Sequence, residues 1–82
     1  MKLSELSVGR CGVVTAVRTQ KKLAARLQML NVFAGARVRM LRLAPFGGGF
    51  MLEAGGVRLA VRRSVAEAID VEPCGEGDDA RA

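Results

Sequence analysis

The chain contains no histidine, no tryptophan and no tyrosine, and only two cysteines and three phenylalanines among its 82 residues. Each shortage removes a class of function. Without histidine the usual proton shuttle at neutral pH is missing, and acid–base catalysis would fall to a carboxylate, a lysine or a cysteine. The acids of the body are Glu5, Glu53, Glu67, Asp70 and Glu72. Each stands where an outward-facing solvated residue would stand, and no two are spaced as a hydrolase dyad. Cys11 opens a strand-like segment with no histidine to activate it, so it reads as a small buried thiol and not as a nucleophile. Cys11 and Cys74 lie far apart and form neither a CxxC pair nor part of a zinc cluster. A hard cation could meet Glu53, Asp70 or Glu72, and a softer one Cys74 with Glu76, but no ligand spacing is satisfied. A non-enzyme is expected, without catalytic residues, cofactor or metal.

Long apolar runs are also missing. A membrane-spanning helix needs about 20 apolar residues, and the longest run here is broken by Pro45 and by glycines. The start, "MKLSELSVG", has one lysine but no apolar core of a signal peptide. A soluble, cytoplasmic protein without membrane insertion is therefore expected.

What is present is a globular composition: 50% hydrophobic and 26% charged residues. A chain of this length holds one domain. Its charge is lopsided. Residues 1–72 carry 12 of the 13 basic and 5 of the 8 acidic side chains, a net +7, whereas the last ten residues carry a net −2. An acidic protein surface or a polyanion would suit such a body; a solubilising role would also account for the charge. The tail 73–82, acidic and glycine-containing, has nothing to pack and is expected to be disordered.

Periodicity divides the body. "CGVVTAV", ending at Val17, is β-branched and apolar, as a buried strand is. The period then changes. Leu23, Leu27 and Leu30 fall at i, i+4 and i+7, with Lys21, Lys22 and Arg26 off that stripe. This predicts an amphipathic helix over about residues 20–30, capped by Thr19 and ended by Asn31 in the left-handed region. After a turn at Gly35, Arg37 to Leu43 alternates until Met40–Leu41, where the phase slips by one and predicts a bulge, with Leu41 and Leu43 as the next apolar pair. Phe50–Ala54 and Val57–Val61 flank Gly55–Gly56, a strong hairpin signal. Val57, Leu59 and Val61 should point inward and Arg58 and Arg62 outward. A helical turn capped by Ser64 and a last strand, Ile69 to Glu72, complete the body. About five short strands, one inserted helix and no βαβ rhythm describe a mainly β, highly bent antiparallel barrel.

Three glycine patterns invite a phosphate-binding reading, and none sustains it. "GRCG" precedes a strand where a KH loop joins helices. "APFGGGF" lacks the Lys-Ser/Thr of a P-loop and opens no helix, nor does it match GxGxxG. It is a connection between strands.

Taken in order, "LSEL…G", "LAARLQMLNVFAGARVRMLRLAPFGGGF" and "LAVRRSVAEAIDVE" resemble the ferrous iron transport protein A (FeoA) family over residues 1–72. Asn31 replaces a usual Gly, Ala34 a usual Pro, and Gly48–Gly49 a usual Asp-Pro, which should leave this loop freer than in its relatives. The resemblance implies an SH3-like barrel with the helix inserted after the first strand. It also implies an accessory or regulatory role in bacterial ferrous iron uptake, acting on the cytoplasmic GTP-binding domain of the FeoB transporter. The same barrel forms a domain of some iron-dependent repressors, where it makes protein contacts.

Docking would need exposed apolar anchors ringed by charge. The candidates are Met29, Leu30, Val32 and Phe33 after the helix, Pro45, Phe46 and Phe50 around the glycine loop, and Arg58 and Arg62 on the hairpin. Phe33 could instead be plain core, Phe46 is open between core and anchor, and the arginines could be a solvated face. An exposed apolar loop also allows self-association. The alternative is a small basic nucleic-acid-binding barrel, favoured by a pI near 10.3. Against it, single-strand binders stack bases on sheet-face aromatics, and here the aromatics are few and off the sheet face.

Overall fold

A computed structural model describes residues 1–74, except for the side chain of Phe46; the expected tail lies, from residue 75 onward, outside the described residues. Five antiparallel strands form one sheet: β1 (Cys11–Val17), β2 (Arg37–Leu43), β3 (Gly49–Ala54), β4 (Val57–Arg62) and β5 (Ile69–Pro73), in the order β4-β3-β2-β1-β5. Helix α1 (Lys21–Met29) joins β1 to β2, and the single turn α2 (Arg63–Ala66) joins β4 to β5. Short 3-10 turns occupy Leu3–Glu5 and Pro45–Gly47. This is the mainly β, SH3-like arrangement that the sequence led us to expect. The ladder is not closed, and β4 and β5 remain as its edges.

The period-2 strands explain the core. Met40, Leu52 and Leu59 stand in one cross-strand row on the inner face, and the first two are wholly buried. Leu3, Val14, Val38, Ile69 and Val71 pack into the same cluster, and α1 contributes Leu27. No polar or charged side chain is buried among the described residues. The sheet bends where its register shifts, at Val14/Ala16 in β1 and at Met40/Arg42 in β2. The second shift is the bulge read from the slipped phase at Met40–Leu41. Beyond it Leu43 does not join Leu41 as a packed pair: it is 56% exposed.

Three boundaries differ from expectation. Gln20, not Thr19, occupies the cap position of α1. The Thr19 hydroxyl donates to the Gln20 carbonyl at 3.3 Å, and no side chain caps the helix. Ser64 is likewise no cap, because β4 runs through Arg62 directly into α2 and leaves Ser64 as its second residue. The last strand does not stop at Glu72. Pro73 pairs with Gly12, and the Cys74 amide donates to the Cys11 carbonyl at 2.9 Å. Pro73 is tolerated because that position turns no amide toward β1.

The β3–β4 hairpin turns through Gly55 and Gly56, at φ +56° and +83°. A Cβ on Gly55 would also lie 2.7 Å from Asn31 Nδ2. That amide donates to the Ala54 carbonyl at 3.3 Å and ties the end of α1 to the hairpin. Gly55→Ala combines a strained φ with a clash, and should lower the unfolding free energy by roughly 1–3 kcal/mol in urea titration. Gly56→Ala, with open space around its Cβ, should lose only the backbone part.

Arg18, just after β1, grips Asp70 on β5 with Nε to Oδ2 at 2.9 Å and Nη2 to Oδ1 at 2.8 Å. These bonds hold the Asp70 carboxyl below the usual carboxylate range; burial opposes them and the charge of Arg18 adds to the lowering. A lowered value in the folded state favours folding above about pH 3.9, the ordinary aspartate value, and that contribution disappears as pH falls through the lowered value. Asp70→Asn should therefore be less stable than the parent at pH 7, with the gap narrowing below about pH 4 in acid titrations of the denaturation midpoint.

Candidate functional site

Apolar side chains that the core leaves in solvent are the candidates for contact with a partner. The sharpest concentration follows α1. Asn31 adopts φ 70°, the left-handed turn that Asn tolerates through its short polar side chain. The amides of Leu30 and Val32 both return to the Leu27 carbonyl, at 2.9 and 2.8 Å. This tight reversal sends Val32 into the core at 1% exposure and leaves Met29 at 83%, Leu30 at 40% and Phe33 at 42% in solvent. Val32 is thus not available to a partner, contrary to expectation, because it closes the base of the turn. Phe33, which the sequence alone favoured as core, is instead at the surface.

Phe33 also borders a depression of about 710 Å³ on the outer face of the sheet, with Cys11, Arg37, Arg39, Glu53 and Asn31. Arg39 Nη1 donates to the Gly9 carbonyl at 2.7 Å. Its neighbours in register are Glu53 on β3 and then Arg58 on β4. The basic face is therefore interrupted by an acid, and one of its arginines is engaged internally.

The glycine loop is a separate place. Pro45 is exposed, whereas Phe50 is 3% exposed on the inner face of β3 and cannot serve as an anchor. Its ring lies under the Arg63 guanidinium, 5.2 Å from the ring centre, and Arg63 Nε donates to the Gly47 carbonyl at 3.1 Å. The glycine loop, expected from Gly48–Gly49 to be free, is tethered by this arginine. The orientation of the Phe46 side chain lies outside the described residues. Pro45–Gly47 precedes β3, while Asn31 holds Ala54 at its far end. Six strand residues separate them by about 20 Å. The helix-end and loop candidates therefore form two surfaces. Arg58 adjoins the helix end through the hairpin, and Arg62 pairs with Gly49 beside the loop; both are exposed.

Sequence reasoning missed Val8 and Leu43, 53% and 56% exposed. The slipped phase at Met40–Leu41 was the available signal for Leu43; Val8 had none. Among the described residues no group of three or more acidic or cysteine side chains could hold a metal ion. No helix among them is long and apolar enough to cross a membrane.

A family model covers most of the chain. The FeoA domain matches residues 1–73. The chain belongs to the FeoA family. Among solved structures it resembles FeoA from Chlorobium tepidum, with 37% identity, a TM-score of 0.88 and coverage of 92% of this chain and 71% of that one. FeoA from Stenotrophomonas maltophilia, solved with zinc and described as a prokaryotic SH3-domain protein and candidate ferrous iron transport activating factor, is 34% identical, with a TM-score of 0.74 over 88% of this chain and 89% of that one. Iron(II) transport protein A from Clostridium thermocellum is 25% identical, with a TM-score of 0.85 over 92% of this chain and 46% of that one. No curated protein matches significantly. FeoA membership places the chain among proteins associated with ferrous iron transport. The nucleic-acid alternative finds no support in these relatives, nor in a basic face broken by Glu53.

Proposed function

We propose that this FeoA protein is a non-catalytic accessory subunit that docks on the cytoplasmic GTP-binding domain of a FeoB-type ferrous iron transporter, and so works at the inner face of the membrane. One observation carries the proposal: the turn after α1 holds Met29, Leu30 and Phe33 outward. Val32, between them in the chain, is taken into the core. Long apolar side chains grouped in solvent are uncommon unless something covers them. Unbranched Met29 adapts to an irregular partner surface, and Phe33 supplies a rigid aromatic anchor. Helix α1 itself is basic, through Lys21, Lys22 and Arg26, and carries no acid. It suits an acidic rim on the partner.

Isothermal titration of the chain into the transporter's cytoplasmic domain, with GDP and with a non-hydrolysable GTP analogue, tests this directly. Saturable binding in at least one nucleotide state is expected, weakening with salt. No heat in either state, with both proteins folded, would reject the proposal. A fluorescence assay of GTP hydrolysis with and without the chain then shows the sense of the regulation.

A further inference from the structure

The two edges of this sheet are treated differently. On the outer side of β5, the Val71 amide donates to the Met1 carbonyl at 2.8 Å, the Met1 amine donates to the Val71 carbonyl at 3.0 Å, and Lys2 bridges to Asp70. The N-terminal segment therefore covers that edge. Among the described residues nothing comparable lies against β4, which pairs there with β3 alone. In a hairpin with a two-residue loop the closing pair, here Ala54 with Val57, is hydrogen-bonded, and the pattern alternates from there. Val57, Leu59 and Val61 thus give their amides to β3, while Arg58, Ala60 and Arg62 turn theirs outward. Among the described residues no acceptor meets these three amides.

An open strand edge is a template for another strand, and sheets commonly guard such edges with charge. Here the guard is selective. If two copies paired antiparallel about Ala60, Arg58 of each would face Arg62 of the other, a destabilising like-charge pair. An acidic strand meets no such barrier. The inner side of the edge is also prepared. Beside β4 runs a groove of about 230 Å³ between the strand and α1, walled by Leu23, Leu27, Leu30, Leu59, Val61 and Val65. Its rim is basic, through Arg26 and Arg62.

Resting on the docking proposed above, we infer that β4 is the element that receives the partner, by adding an extended segment as a sixth strand. The pleat specifies that segment. Side chains entering beside Leu59 and Val61 meet the apolar groove, and those between them lie beside Arg58, Ala60 and Arg62. The occupant therefore alternates apolar and acidic residues. Main-chain bonds to the outward amides supply affinity, and the alternation supplies specificity. Leu30, shared by the groove and the helix-end patch, joins both surfaces into one interface.

The test leaves the transporter out. The probe is a capped hexapeptide alternating valine and glutamate, titrated into the ¹⁵N-labelled chain at physiological salt. Shift changes should concentrate on Val57–Arg62 and Leu30, and amide exchange at Arg58, Ala60 and Arg62 should slow by at least about tenfold at saturation. A lysine-for-glutamate peptide should bind at least about tenfold more weakly. Ala60→Pro removes an outward amide that β3 does not use, and should abolish peptide binding while leaving the spectrum outside β4 unchanged. Should that variant fail to fold, the double variant Arg58→Glu, Arg62→Glu should exchange preference from the acidic to the basic peptide. The inference is overturned if saturating peptide leaves the three amides unprotected. It is equally overturned if they are already slow in the isolated chain at low concentration, which would mean that the chain covers its own edge. Protection that appears only with dimer formation would assign the edge to a second copy and overturn it too. Peptide binding without binding to the transporter's cytoplasmic domain would reject the docking partner and keep the strand addition.

Discussion

Leu52→Ala should cost about 2–5 kcal/mol of unfolding free energy. Leu52 is wholly buried at the middle of the cross-strand row formed by Met40, Leu52 and Leu59. Its side chain fills space contributed by three adjacent strands, so removing three carbons leaves a void that no single neighbour can close. Strands held in register on both sides cannot collapse inward without breaking a ladder. A domain of this length has roughly 4–12 kcal/mol of stability to lose, so the variant should be largely unfolded at 37 °C or melt at far lower temperature. Circular dichroism on heating and a urea titration measure this. A loss below about 1 kcal/mol would show that the core is far looser than its burial indicates.

The double variant Met29→Asp, Phe33→Asp should behave in the opposite way. Met29 and Phe33 are 83% and 42% exposed, so the fold has little to lose, and stability should change by about 1 kcal/mol. Affinity for the transporter's cytoplasmic domain should fall at least about thirtyfold, because anchors are replaced by charges that the partner would have to desolvate. Calorimetry and melting curves on the same samples separate these effects. Equal losses of binding and of stability would mean that these side chains serve the fold. Unchanged binding would place the docking surface elsewhere, with Leu43 and Val8 as the next exposed apolar side chains.

Several features of the fold were legible because they are local. A change of period from two to 3.6 residues separates β1 from α1, and it depends only on neighbours within one turn. Asn31 and Gly55–Gly56 reveal left-handed backbone because few residues tolerate it. The bulge at Met40/Arg42 shows as a slip in alternation. The caps were less legible, since Thr19 and Ser64 have the right chemistry at the wrong positions, one before and two after the respective cap positions. A hydroxyl that turns to a nearby carbonyl is lost as a cap, and its rotamer is invisible in the sequence.

The sequence by itself determined a small, basic, antiparallel β domain with one inserted helix and the FeoA order of motifs. Tertiary structure alone decided which apolar residues face water. Val32 and Phe50 look like Leu30 and Phe33 to any local rule, yet the first two are buried and the last two exposed. The difference lies in which element comes to rest above each of them. Tertiary structure also parted the glycine loop from the helix end by the length of β3, and left β4 open while the N-terminus covered β5. Backbone preference acts over a few residues, whereas burial and edge exposure are set by segments far apart in the chain. Only their packing decides what remains for a partner to cover.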